Sequence, residues 1–237
     1  MKKIITISLI LTASLTTWSC KDILEAPTKS SLDESVIFST PSLAEGVIPG
    51  IIQSFGETNS YRGRYLVYYG TNTDVEVYSS LKAINDDKSR LGNYNTNVEN
   101  DQMNTDNNAW AKFYEGIERA NMAIRGLRNY GNVENNPAMA QVLGEVLVLR
   151  AVLYNDLIKG WGDVPARFEP ITTETTYLPR ADRDVIYKQL LADLDEAAGL
   201  LPWPNESNAT RSVERVSKAF AKGLRARLAL AAGGYAQ

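Results

Sequence analysis

The chain has 237 residues, of which 44% are hydrophobic and 22% are charged, so it can bury a sizeable core and is not expected to be disordered. Its formal charge is −3 and its basic residues form no stripe, which argues against a nucleic-acid partner. The absence of histidine and the single cysteine exclude histidine-based catalysis, the commonest zinc ligands and an intrachain disulfide.

The first nineteen residues have the layout of a secretory signal peptide. Lys2 and Lys3 precede an apolar stretch over 4–15, which is too short to span a bilayer, and mostly small or polar residues follow. We therefore predict that 1–19 is a cleaved signal.

The only cysteine, Cys20, lies at the expected cleavage point, directly after the small residue Ser19. This arrangement resembles a bacterial lipobox, in which the cysteine carries acyl chains such as palmitate and so anchors the mature protein to a membrane. We predict a lipidated tether over 20–39. An ordinary signal peptide with an incidental cysteine is the alternative.

A short helix is predicted after residue 40. Thr40 and Pro41 have the pattern of an N-cap followed by a proline at the first helical position. Pro49 and Gly50 predict a kink or break. The expected apolar face of this helix consists of Leu43, Val47, Ile51 and Phe55.

The next part of the chain has weaker signals. Residues 61–78 are rich in tyrosine, glycine and β-branched residues, and periodicity does not decide between extended structure and a short helix. Residues 93–108 are dense in asparagine and aspartate but contain no aligned calcium loop, so no metal site is expected. We predict a polar surface loop that ends in a helix cap near Asn107 or Asn108.

From about residue 109, apolar residues recur at three- and four-residue spacing, which indicates helices with a buried face. The first such helix is marked by Trp110, Phe113, Tyr114, Ile117, Asn121, Ile124 and Leu127. Asn136 and Pro137 predict the start of a second helix, and Gly160 or Gly162 its end. Its inward residues are Val142, Val146, Leu149, Leu153 and Leu157.

Two more helices follow a loop that contains several prolines. The third helix is predicted from about Asp182 until Pro202, with Ile186, Leu190, Leu194, Ala197 and Leu201 inward. The fourth is predicted from about Ser212 and carries Val216, Ala219, Phe220, Gly223, Arg227 and Leu228. The small residues Ala219, Gly223 and Ala226 would let a neighbouring helix approach closely.

These helices predict an all-α fold of tetratricopeptide-like helical pairs with an irregular N-terminal segment. A strict 34-residue repeat is absent, because a long loop separates the second and third helices. The chain stops as the fourth helix ends, without the capping element that a helical array needs. We therefore expect the sequence to be truncated at its C-terminus.

The helices also carry phrases typical of one family. The helix from Trp110, with Tyr114 and Asn121, resembles W-x-x-x-Y-x-x-I-x-x-A-N, and the segment containing Arg150 resembles G-E-x-x-x-L-R-A-x-x-Y. The turn after it, which resembles Y-G-D-V-P, consists of Trp161, Gly162, Asp163, Val164 and Pro165. The order and the number of these motifs resemble those of the SusD/RagB family.

The resemblance implies a non-catalytic lipoprotein on the outer membrane of Bacteroidetes, exposed at the cell surface. Such a protein binds oligosaccharides or other nutrients, delivers them to a SusC-like TonB-dependent transporter and needs no cofactor. Residues 40–237 would form its N-terminal helical domain. Arg150 and Asp163 are expected to have structural roles.

Sugar binding needs aromatic faces together with amides and carboxylates. The segment Thr73 to Glu76 is similar to a ligand-loop motif of the family, which makes Asp74, Glu76 and Tyr78 candidates. Tyr94 and Asn97 form a second candidate group. Core packing for Tyr78 and a solvated loop position for Tyr94 are the alternatives.

Two other functions stay open. One is a tetratricopeptide-type scaffold for a protein partner. The other is a glycoside hydrolase, which would need a pair of acids such as Asp86 with Asp87 or Asp193 with Asp195. Asp193 and Asp195 are two residues apart on a helix, so they are expected on different faces.

Overall fold

The computed structural model describes residues 33–56, 73–76, 90, 97, 99–100, 108–204, 206 and 215–233. The helices in these ranges are α1 (Glu34–Ser39), α2 (Pro41–Ala44), α3 (Val47–Gly56), α4 (Ala109–Tyr130), α5 (Pro137–Trp161), α6 (Arg183–Leu200) and α7 (Lys218–Ala231). Within the same ranges, extended pairing is limited to one isolated bridge between Val164 and Ala181. The predicted all-α fold class is confirmed.

The central element is α5. It packs against α4 on one side and α6 on the other, and it also contacts α2, α3 and α7. Its predicted inward residues are buried, but so are residues on its other sides, such as Leu143, Leu147 and Val148. By length and composition α5 could cross a membrane, yet 78% of its most apolar stretch is buried inside the protein. It is therefore the core helix of this fold.

Side-chain caps define where the long helices begin. The Asn108 side chain accepts a hydrogen bond from the Ala111 amide at 2.9 Å, and Asn136 does the same for Met139 at 3.3 Å. Asp182 caps α6 by accepting from Asp184 at 2.8 Å. Each side-chain oxygen satisfies a first-turn N–H that has no partner within its helix.

The predicted start of the fourth helix near Ser212 is wrong, because α7 begins at Lys218 with Ser217 as its N-cap. Two contacts hold the preceding residues outside a helix. The Lys218 amide donates to the carbonyl of Pro202 at 2.9 Å, and the Arg215 side chain reaches Glu145 on α5.

The rotation of α7 about its axis, which decides the residues that face the core, also differs from the prediction. Ala221 and Leu228 face the core, whereas Phe220 is 51% exposed. The small residues that were expected to contact a neighbouring helix are exposed as well, namely Ala219, Gly223 and Ala226. Periodicity shows that a helix has an apolar side. Helix α7 has two apolar sides, and only the one with Ala221 and Leu228 packs against α6.

The predicted break at Pro49 and Gly50 is wrong too. The helix is interrupted earlier, at Glu45 and Gly46, and Pro49 is the third residue of α3. Proline fits there because first-turn residues need no intrahelical N–H partner. The interruption also shifts the buried face, so that Ile48 joins Ile51 in the core while Leu43 and Val47 stay more accessible.

Candidate functional site

The sequence phrases of α4 and α5 meet at one segment, the α5–α6 connection (162–182). The Tyr114 hydroxyl donates to the carbonyl of Pro165 at 2.8 Å. The Tyr154 hydroxyl donates to the carbonyl of Arg167 at 2.6 Å. Burial raises the pKa of both phenols above their usual range, so they remain neutral donors. These bonds satisfy carbonyls of a non-helical backbone that packs on the helices.

Arg150 lies at the centre of this arrangement, with a side chain that is 3% exposed. Its Nη2 donates to Oδ2 of Asp193 at 2.7 Å, and its Nη1 donates to Oδ1 of Asn121 at 2.8 Å and to the carbonyl of Phe168 at 3.0 Å. Gln189 donates to the other oxygen of Asp193 at 2.8 Å. We call Asn121, Arg150, Phe168, Gln189 and Asp193 the Arg150 cluster.

Asn121 carries this network into the backbone of the connection. Its Oδ1 accepts from Arg150, while its Nδ2 donates to the carbonyls of Arg167 at 3.0 Å and Glu169 at 3.2 Å. The Arg150 guanidinium also lies over the Phe168 ring, 5.2 Å from its centre. Through these hydrogen bonds the Arg150 cluster joins α4, α5, α6 and the α5–α6 connection.

The turn that follows α5 is held by rings and by backbone geometry. The Trp161 ring packs edge-on against Trp110, with ring centres 5.5 Å apart. Gly162 has a φ of 73°, which is unfavourable for residues with a Cβ. Oδ1 of Asp163 accepts from the Arg183 amide at 3.3 Å, at the first residue of α6. The family-like motifs of α4, of α5 and of the turn after α5 therefore contact one another near the ends of the α5–α6 connection.

The candidate ligand segment 73–76 forms a local turn. The Thr73 hydroxyl accepts hydrogen bonds from the amides of Val75 at 3.4 Å and Glu76 at 3.1 Å. Asp74 and Glu76 are exposed, and Val75 between them is 84% exposed. Both carboxylates are thus accessible to a solute.

Asn97 is also exposed, but part of its amide is already used. Its Oδ1 accepts from the Glu99 amide at 3.1 Å, and its carbonyl accepts from the Asn100 amide at 3.2 Å. Its Nδ2 is the group with which it could bind a hydroxyl. The candidates Tyr78 and Tyr94, like the lipidation candidate Cys20, lie outside the described residues.

The two aspartates considered for hydrolysis lie in different environments. Asp193 is buried in the Arg150 cluster, whereas Asp195 has a 58% exposed side chain and pairs with Arg225 of α7. As predicted, they are on different faces of the helix, so they do not form a catalytic pair. Asp86 and Asp87 lie outside the described residues.

A groove that sequence reasoning missed lies beside α2 and α3. It has a volume of about 640 Å³ and is lined by Glu45, Gly46, Ile48, Pro49, Ile52, Gln53, Gly56 and Arg215. Arg215 is fixed by two hydrogen bonds to the fully buried Glu145, at 2.6 and 2.8 Å. No local signal could have revealed this pairing, because seventy residues separate the two side chains.

Residues 45–230 match a family model, SusD-like, that is described as starch-binding and associating with the outer membrane. The chain belongs to the SusD-like family. The match confirms the resemblance that the helix phrases carry.

Two relatives come from Formosa agariphila. SusD-like protein P25 is 26% identical over 194 residues, and SusD-like protein P38 is 27% identical over 181 residues. Each alignment covers 76% of this chain but only 34% of the relative. The chain therefore spans about a third of the length of the curated relatives that it matches.

Solved structures share the fold. A SusD-like protein from Bacteroides fragilis superposes with a TM-score of 0.67 at 20% identity, over 84% of this chain and 36% of that chain. A laminarin-binding SusD-like protein gives 0.61 at 19% identity, over 80% and 39%. Surface glycan-binding protein A from Bacteroides uniformis gives 0.63 at 19% identity, over 81% and 42%.

Proposed function

We propose that this protein is a non-catalytic, glycan-binding lipoprotein of the outer membrane. The observation that carries the proposal is the family match over 45–230, since that family is described as starch-binding and associating with the outer membrane. One protein of the same fold is named as laminarin-binding and another as a surface glycan-binding protein, which supports a carbohydrate ligand.

The exposed turn at 73–76 is the proposed contact for sugar hydroxyls. The carboxylates of Asp74 and Glu76 accept hydrogen bonds from hydroxyls, and the Nδ2 of Asn97 donates one. Tyr78 and Tyr94 supply the aromatic faces on which pyranose rings stack. Carboxylate bonds to neutral donors contribute about 1.5–3 kcal/mol each, so the loss of one such bond should weaken glycan binding by roughly ten- to a hundredfold.

A binding experiment tests this assignment. The purified chain is titrated calorimetrically with laminarin, starch and xylan oligosaccharides, in parallel with Glu76→Gln. We expect one glycan class to bind and Glu76→Gln to weaken that binding roughly tenfold. Glu134→Gln, at an exposed position between α4 and α5, is the matched control and should bind as the unmodified chain does. Equal binding by both variants would remove the turn from the site.

We further propose that Cys20 carries the lipid anchor and that the protein passes its glycan to a SusC-like TonB-dependent transporter. Growth with a radioactive fatty acid should label the protein, and Cys20→Ala should abolish the label. A SusC-like transporter should co-purify with the lipidated protein after mild detergent extraction. Recovery of soluble protein partners without any glycan binding would favour the tetratricopeptide-type scaffold instead. Release of reducing sugar by the pure chain would indicate a glycosidase.

A further inference from the structure

Helix α5 has the length and the composition of a membrane-spanning segment, although it lies in the core of a folded domain. It contains 25 residues, and its most apolar stretch of eighteen residues has a mean hydropathy of 1.4. A bilayer is spanned by about 20 predominantly apolar residues. Because 78% of this stretch is buried inside the folded protein, its apolar side chains are accessible to a membrane only while the chain is unfolded.

Two charged residues lie near the middle of this apolar helix. Glu145 is 0% exposed and Arg150 is 2% exposed. Every stretch of eighteen residues within α5 contains both of them. A charged residue near the middle of a membrane-spanning helix shifts the insertion equilibrium against the membrane by roughly a hundredfold. Glu145 and Arg150 therefore separate α5 from a segment that a membrane would retain.

Folding stability alone does not account for these two buried charges. Glu145 pairs with Arg215 at 2.6 Å, and Arg150 pairs with Asp193 at 2.7 Å. Removing one partner of such a pair is costly, but replacing both partners by apolar residues of similar volume is often neutral or stabilising. The pairs form only when the chain folds, because the partners lie seventy and forty-three residues away along it.

The residues that flank α5 also resemble those of a segment that halts export. Lys159 lies in the last turn of the helix and Arg167 follows its end, whereas residues 129–136 before the helix contain no lysine or arginine. Cations on the cytoplasmic side favour insertion in the orientation that stops a chain whose N-terminal part has already crossed. Without its two central charges, α5 would have the pattern of a stop-transfer segment.

We propose that Glu145 and Arg150 keep the chain competent for export, because they prevent α5 from stopping in the cytoplasmic membrane that the unfolded chain crosses. Arg215 and Asp193 then pair with these charges as the domain folds on the far side. The proposal rests on the export that the proposed lipoprotein requires, and it goes beyond glycan binding. It gives the two central charges of α5 a role before folding as well as in the folded protein.

The test fuses alkaline phosphatase, which becomes active only after export from the cytoplasm, to the end of the full chain. Its activity in a Gram-negative host is measured per amount of fusion on an immunoblot, and the unmodified fusion should be active. The α5 variant, which combines Glu145→Leu and Arg150→Leu, should lose activity roughly tenfold, because α5 then stops in the membrane and leaves the phosphatase in the cytoplasm.

A matched control, which combines Asp193→Leu and Arg215→Leu, separates insertion from misfolding. It removes the same two ion pairs from the folded protein but leaves both charges on α5. Helix α6 keeps five other charged residues in this control, so it does not become a membrane-spanning segment. A charge-exchange variant, which combines Glu145→Arg and Arg150→Glu, also keeps two charges on α5. Both controls should be as active as the unmodified fusion.

The outcomes distinguish a failure of this proposal from a failure of the proposed export. Full activity of the α5 variant would overturn the proposal and leave the signal peptide in place. A loss in either control equal to that in the α5 variant would also overturn it, because misfolding would then explain the loss. An inactive unmodified fusion would contradict the proposed export and, with it, this role of Glu145 and Arg150.

Discussion

The Arg150 guanidinium and the Asp193 carboxylate lie 2.7 Å apart, with side chains that are only 3% and 2% exposed. Forty-three residues separate them along the chain, so their pairing fixes α5 against α6. Through Asn121 and Phe168 the same guanidinium holds the backbone of the α5–α6 connection. This ion pair therefore links the helical core to the α5–α6 connection, which the family-like motifs contact.

Breaking this pair should cost more than breaking an exposed one. Asp193→Asn leaves the buried Arg150 charge without its counter-ion, and we expect a loss of about 3–5 kcal/mol of unfolding free energy. Asp195→Asn breaks the pair with Arg225 at the surface and should cost less than about 1 kcal/mol. Urea denaturation followed by circular dichroism measures both. Similar midpoints for the two variants would show that the buried pair contributes no special stability.

The hydroxyl of Tyr114 should hold the start of the α5–α6 connection. Tyr114→Phe removes the donor for the Pro165 carbonyl and should destabilise the protein by about 1–3 kcal/mol. Limited trypsin digestion should then cleave faster at Arg167, which follows Pro165 closely. Tyr177→Phe is the matched control, because that side chain is 93% exposed. If both variants resist trypsin equally, the hydroxyl does not hold the connection.

Gly126 should tolerate no side chain, because a Cβ there would collide with the Phe38 ring of α1. We expect Gly126→Ala to cost about 1–3 kcal/mol through overpacking. Gly199→Ala meets nothing within 4 Å and should stabilise the protein by about 0.5–1 kcal/mol through better helix propensity. Thermal unfolding of the two variants should therefore shift in opposite directions. A gain of stability in both would mean that α1 does not pack on α4 in solution.

Stability should depend on pH through Asp156. Burial raises the pKa of this carboxyl to about 7, although Lys159 and Arg227 partly oppose the shift. Its pKa in the unfolded chain is about 3.9, so between about pH 4 and 7 the folded protein binds more protons. Stability from this group is therefore present at low pH and is lost as the pH rises to 7.

The substitution Asp156→Asn isolates this effect. Because the side chain is only partly buried, we expect the unmodified protein to lose on the order of 2 kcal/mol relative to the variant between pH 4.5 and 8. Asp195→Asn controls for the removal of a carboxylate elsewhere. Urea titrations across this range measure the difference, and parallel pH profiles for the unmodified protein and Asp156→Asn would contradict the raised pKa.

Local signals predicted the elements of this protein well. Asn108, Asn136 and Asp182 begin helices because a cap acts within three residues of itself. The same signals failed for α7, where contacts with Pro202 and Glu145 keep the chain before Ser217 out of the helix. A helix boundary that depends on distant partners cannot be derived from its own sequence.

The sequence by itself determined the helical class, the inward face of α4 and the phrases that indicate the family, because these depend on residue spacing along the chain. Only the tertiary structure decided that Arg150 pairs with Asp193 and that α5 is buried on all sides. It also decided which of the two apolar sides of α7 packs on α6. Periodicity shows that a helix has an apolar side, but which neighbour covers it depends on how distant segments meet in space.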